Sequence, residues 1–76
     1  MQIAILGAGM VGRAIAIDLA ATYSVTSFDI SEHSLQLLSA RNKKIKTVKA
    51  DLGNYADYDS LLNGFDYVIS AVPGFM

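Results

Sequence analysis

MQIAILGAGMVGRAIAIDL, residues 1–19, decides the reading of this chain. An apolar run over residues 2–6 leads straight into Gly7-Ala8-Gly9-Met10-Val11-Gly12, and a helix-forming stretch follows. The spacing is G-x-G-x-x-G, with a strand before it and a helix after it, the setting in which it binds dinucleotide phosphates. Each glycine has its own task. Gly7 turns the chain sharply out of the strand, Gly9 lacks the Cβ that would keep a pyrophosphate from the backbone N–H groups, and Gly12 lets the helix pack closely on the strand. Phosphates would sit on the helix N-terminus, where unpaired N–H groups and the positive end of the helix dipole favour an anion. The loop holds no lysine, and the missing Gly-Lys-Ser/Thr argues against a phosphate-transferring P-loop.

A second stretch agrees with the first. Residues 25–30, VTSFDI, form a β-rich run that carries Asp29 about 20 positions past the loop. A carboxylate at the end of the second strand accepts hydrogen bonds from the adenosine ribose hydroxyls and repels a 2′-phosphate. The expected cofactor is therefore NAD rather than NADP. The alternative role for Asp29 is that of an acid at the start of the helix beginning Ser31-Glu32.

With 76 residues the chain can bury only a modest core, yet 53% of its residues are hydrophobic and 17% charged. A typical soluble domain has about 25% charged residues, so some of this surface is expected to be covered by further protein. The net charge is −1, which gives no electrostatic case for a nucleic-acid or anionic-membrane partner. Absence of cysteine excludes disulfides, thiolate nucleophiles and cysteine-ligated metals. Residues 1–19 are neither a secretion signal nor a membrane span, because no basic segment precedes them and glycines, Arg13 and Asp18 interrupt them. A cytoplasmic location is the resulting expectation.

The remaining elements follow from periodicity and punctuation. The first helix is expected over residues 9–21, with Val11, Ala14, Ile15, Ala16 and Leu19 on its apolar face and Arg13 and Asp18 on its polar side. Ser31 is placed to N-cap a second helix that buries Leu35, Leu37 and Leu38 and ends near Arg41. His33 lacks the neighbours of a metal site and reads as helix surface. Residues 45–50, IKTVKA, read as a third strand whose Lys46 and Lys49 suit a sheet edge. A short third helix is expected over residues 54–63, capped by Asn54 or Asp57 and stopped by Gly64. Residues 65–72, FDYVISAV, form a strongly apolar fourth strand of the kind parallel sheets bury on both faces.

The order βαβαβαβ implies an α/β, three-layer Rossmann-like fold, with a truncated parallel sheet of four strands in order 3-2-1-4. Its cofactor crevice lies between strands 1 and 4. Strand 4 would be left as a bare apolar edge, so the chain is expected to be a partial dinucleotide-binding domain from a longer polypeptide. The same edge, or an uncovered sheet face, is expected to drive homo-oligomer formation.

GAGMVGRAIAIDL, FDI, KAD and ISAVPGF together resemble the amino-terminal part of the saccharopine dehydrogenase and lysine dehydrogenase family. The fingerprint and Asp29 are common to many dinucleotide folds; the Ala71-Val72-Pro73-Gly74-Phe75 ending is more specific to this family. The resemblance implies that Gly7, Ala8, Gly9, Met10, Val11 and Gly12 hold the pyrophosphate, and Asp29 and Ile30 the adenosine. It places Asp51 and Leu52 at the adenine and Ala71, Val72 and Pro73 near the nicotinamide ribose. It also implies an amino-acid oxidoreductase whose catalytic groups lie beyond Met76, so catalysis by this chain alone is not expected. The rival reading is a nucleotide-sensing domain of a potassium channel or transporter, whose fourth-strand pattern Asp66-Tyr67-Val68-Ile69 matches.

Overall fold

The computed structural model describes residues 1–50 and 62–71. Its elements are β1 (Gln2–Leu6), α1 (Met10–Ala20), β2 (Ser24–Asp29), α2 (Glu32–Arg41), β3 (Lys46–Lys49) and β4 (Tyr67–Ser70). All strand pairs are parallel, and the sheet order is β3-β2-β1-β4. This is the Rossmann-like order read from the sequence. The third helix expected over residues 54–63 lies outside the described residues, apart from its last two positions.

Alternation along β1 builds both faces of the sheet. Ile3 and Ile5 point to one side and join Val25, Ala16, Leu35, Leu38 and Ile45, so α1 and α2 cover that face together. Ala4 and Leu6 point the other way and join Phe28 and Ala50, with Leu62 and Phe65 packed against them. Phe65 meets Phe28 edge to face, with ring centroids 5.8 Å apart, the favoured aromatic geometry. β1 is flanked by β2 and β4 and is almost wholly buried, which explains its unbroken apolar run.

Helix α1 departs from the expected apolar face. Gly12 and Ala16 are its buried residues, while Val11 is 64% exposed and Ala14 is also exposed. Apolar residues surround this helix on all sides, so their spacing does not single out the face that meets the sheet. Of the expected face, Ala16 is buried and Ile15 and Leu19 pack half-buried against the core, joined by Ile17 and Ala20. In α2, Leu35 and Leu38 are buried as expected, but Leu37 is 42% exposed. Leu37 is two positions past Leu35, about 200° around the helix, and cannot share its face. Ser31 does cap α2, its Oγ accepting from the Ser34 N–H at 3.2 Å, and Glu32 complements the dipole in the first turn.

Both outer strands are edges among the described residues. On β3, Lys46 and Lys49 are exposed, as edge lysines should be. On β4, Tyr67 and Val68 are exposed although the strand's composition suits burial on both faces. Asp66 secures the start of this strand to β1: its carboxylate accepts from the Gln2 N–H and its own N–H donates to the Gln2 carbonyl, each at 2.7 Å.

The sheet carries one flaw among its described residues. Ser27 is fully buried in β2, and its Oγ has no hydrogen-bond partner. An unsatisfied buried hydroxyl costs about 1–3 kcal/mol. Ser27→Ala is therefore expected to raise stability by about 1 kcal/mol, read as a higher urea midpoint at unchanged slope. A lower midpoint would show that the hydroxyl has a partner.

Candidate functional site

The site grows from the turn that ends β1. Gly7 has φ of 107°, a left-handed conformation that only glycine adopts without strain. The turn is anchored by the Gly7 N–H, which donates to the Phe28 carbonyl at 2.7 Å. It brings the chain back over the sheet, and α1 begins three residues later.

Gly12 is where helix and turn meet. A Cβ on this residue would lie 2.1 Å from the Gly7 carbonyl oxygen and 3.6 Å from the Ala71 Cβ. Only a residue without a side chain permits that approach. The contact explains the third glycine of the motif by packing alone, and it shows that Ala71, at the end of β4, stands beside the loop. The Ala71 N–H donates to the Leu6 carbonyl at 2.8 Å, continuing the β1–β4 ladder to the rim of the crevice.

Gly9 has the opposite character. Its φ of −70° and ψ of −167° are open to any residue, and an added Cβ would meet nothing within 4 Å. Neither backbone strain nor packing requires glycine here. Gly9 is the N-cap of α1 and provides no side-chain cap, and the first turn carries no acid. Arg13 makes the first intrahelical bond, its N–H donating to the Gly9 carbonyl at 2.8 Å. The N–H groups before it, in Met10, Val11 and Gly12, are the donors that a helix N-terminus leaves unpaired. Met10 and Val11 are 81% and 64% exposed and border this opening.

Asp29 closes the second side. Its Oδ2 accepts from the Ala8 N–H at 2.6 Å and its Oδ1 from the Ser31 N–H at 2.8 Å. The carboxylate therefore spans the glycine loop and the start of α2. Reading the sequence missed this pair of bonds. The Asp29–Ser31 half follows a legible rule, since an aspartate often accepts from the N–H two residues on; the Ala8 half needs the fold.

The structure thus brings together Gly7, Ala8, Gly9, Met10, Val11, Gly12, Asp29 and Ala71 around one rim, with exposed Ile30 following Asp29. Asp51, Leu52, Val72 and Pro73 lie outside the described residues. Arg13 is half-buried in a groove of about 200 Å³ that it shares with Met10, Ala14, Ile17 and Arg41. His33 is exposed on α2.

A positive-φ turn, a glycine with open space at its Cβ position, the N-terminal N–H groups of α1 and a carboxylate at the end of β2 thus meet at one rim. Among solved structures, a saccharopine dehydrogenase (L-Glu forming) from Saccharomyces cerevisiae is 27% identical, with a TM-score of 0.78 over 95% of this chain and 16% of that one. A 3-hydroxyacyl-CoA dehydrogenase from Archaeoglobus fulgidus is 28% identical, with a TM-score of 0.73 over 95% of this chain and 24% of that one. The chain thus spans less than a quarter of the length of either relative. No curated protein sequence matches. Residues 3–76 match the family described as saccharopine dehydrogenase NADP binding domain. By that match over nearly its whole length, the chain belongs to the saccharopine dehydrogenase NADP-binding family.

Proposed function

We propose that this chain binds the pyrophosphate and adenosine of a nicotinamide dinucleotide for an oxidoreductase of saccharopine or lysine dehydrogenase type. The observation that carries the reading is the open space at Gly9 over the uncapped N-terminus of α1. A glycine that neither backbone nor packing demands is explained by a ligand that must approach the backbone. Family membership and the dehydrogenase relatives support the same cofactor class.

In the parent enzyme the nicotinamide would supply hydride chemistry at an amine-bearing carbon of an amino acid, and the protein would supply binding and orientation. In this chain, the N–H groups of Met10, Val11 and Gly12 would hold the pyrophosphate, and Asp29 with Ile30 would border the adenosine. Ala71, beside Gly12, would border the nicotinamide half. Asp66 heads the pattern shared with nucleotide sensors, but here it holds β1 to the start of β4. Family membership, rather than this motif, favours the dehydrogenase reading over a sensor.

Between the two forms of the cofactor, the family description favours NADP, against the preference for NAD drawn from Asp29. The carboxylate already accepts from two backbone N–H groups, which partly offset its repulsion of a 2′-phosphate. Calorimetric titration of the chain with both dinucleotides tests the reading. NADP is expected to bind at least as tightly as NAD; a tenfold preference for NAD would restore Asp29 as the discriminator, and binding of neither would defeat the function proposed.

A further inference from the structure

We infer that Asp29 is a positioning residue, a strut that holds the glycine loop and the start of α2 in their binding geometry before any nucleotide arrives. The inference deepens the reading of the loop as a pyrophosphate cradle and rests on it. It differs from the role expected at this position, because the partners are protein groups and not a ribose.

The Ala8 N–H is the key donor. Ala8 is fully buried between two glycines, where no water is at hand to replace a lost partner. Its acceptor is Asp29 Oδ2 at 2.6 Å, across 21 residues of sequence. Hydrogen bonds to an ionised acceptor are roughly twice as strong as neutral ones. The other carboxylate oxygen takes the Ser31 N–H at 2.8 Å, and Ser31 is the residue that caps α2. One side chain therefore ties the glycine loop to the start of α2.

The backbone around Asp29 makes the same connection. The Phe28 carbonyl accepts from the Gly7 N–H at 2.7 Å, and the Asp29 carbonyl accepts from the Ala50 N–H at 2.9 Å. The end of β2 is thus joined to the glycine loop, to α2 and to the end of β3. With the N–H groups of Gly7 and Ala8 both directed at β2, the loop is oriented so that those of Met10, Val11 and Gly12 remain for an anion. Without the strut, the loop would lose this orientation and its affinity for phosphate.

The charge on Asp29 makes the inference testable by sign. Simple Coulomb repulsion predicts that removing a carboxylate near a phosphate site strengthens anion binding. A strut predicts the reverse. Inorganic pyrophosphate is the suitable probe, since it has no ribose for Asp29 to contact.

In the unsubstituted chain, amide hydrogen exchange at Ala8 and Ser31 is expected to be slowed at least tenfold relative to an unprotected loop amide. Free-loop exchange at Ala8 would overturn the inference without any variant. In Asp29→Asn, which keeps the side chain's shape but turns one acceptor into a donor, exchange at Ala8 or Ser31 is expected to rise about tenfold, while the core amides of β1 keep their rates. Pyrophosphate affinity, followed by amide chemical shifts, is expected to fall about threefold or more. Unchanged or tighter pyrophosphate binding, with weaker dinucleotide binding, would make Asp29 a ribose ligand only and overturn the strut. If the unsubstituted chain binds neither dinucleotide nor pyrophosphate, the cradle reading fails instead, and exchange at Ala8 still decides whether the strut exists.

Discussion

Gly12→Ala is expected to lower the stability of this chain by about 2 kcal/mol or more, a steric cost at or above the upper end of overpacking less the gain in helix propensity. Two terms compete. Alanine is the better helix former by about 1 kcal/mol, and on that ground alone the substitution would stabilise α1. Against it stands a Cβ placed 2.1 Å from the Gly7 carbonyl oxygen and 2.9 Å from the Gly7 carbonyl carbon. Overpacking a tight site costs about 1–3 kcal/mol and occasionally more, and this site has little means of relaxing. Gly7 is backbone, held at φ of 107° and bonded to Phe28, so the helix itself must move off the sheet. Ala16, Ile15 and Leu19 would move with it, loosening the core on that face.

The loss is large beside the total. At about 0.05–0.15 kcal/mol per residue, a chain of 76 residues has roughly 4–11 kcal/mol of stability. The thermal midpoint should fall by about 10 °C or more, since 1 kcal/mol corresponds to about 4–8 °C at this size. Circular dichroism melting of the two proteins decides the matter. A midpoint within 2 °C of the parent chain would mean that the close contact with Gly7 does not exist in solution.

What could be read from sequence, and what could not, follows the range of the forces involved. The turn at Gly7, the cap at Ser31 and the alternation of Ile3, Ala4, Ile5 and Leu6 are local, and each left its mark in consecutive residues. Sheet order then follows from the crossover rule and the position of the loop. The buried face of α1 was legible only in part: Ile15, Ala16 and Leu19 do meet the core, but Val11 and Ala14 are as apolar and are exposed. Leu37 misled for a related reason: a leucine is apolar wherever it points, and only the helical angle sends it outward. At the site, Gly9 and Gly12 have identical letters and different causes. One keeps space empty and the other fills it with a neighbouring carbonyl, which only coordinates distinguish. The bond from Ala8 to Asp29 joins residues 21 apart, and the two strands had to be aligned before it could be seen.

Gly9→Ala is expected to separate binding from folding. The φ of −70° at Gly9 suits alanine, and reducing the freedom of the unfolded chain stabilises by about 0.4–1 kcal/mol. Alanine is the poorer N-cap by a similar amount, so the two effects offset and the melting temperature should stay within a few degrees. Binding is expected to respond differently, because the new methyl would occupy open space at the N-cap of α1, where the proposed phosphate site lies. A pyrophosphate would have to shift outward, lengthening each hydrogen bond to Met10, Val11 and Gly12 at once. A loss of roughly 10- to 100-fold in dinucleotide affinity is expected, equivalent to about 1.4–2.8 kcal/mol. The same titration used for the parent chain measures it, with melting curves as the control. Unchanged affinity in a stably folded Gly9→Ala chain would show that the phosphates do not rest on this helix and that the open space at Gly9 is no mark of a dinucleotide site.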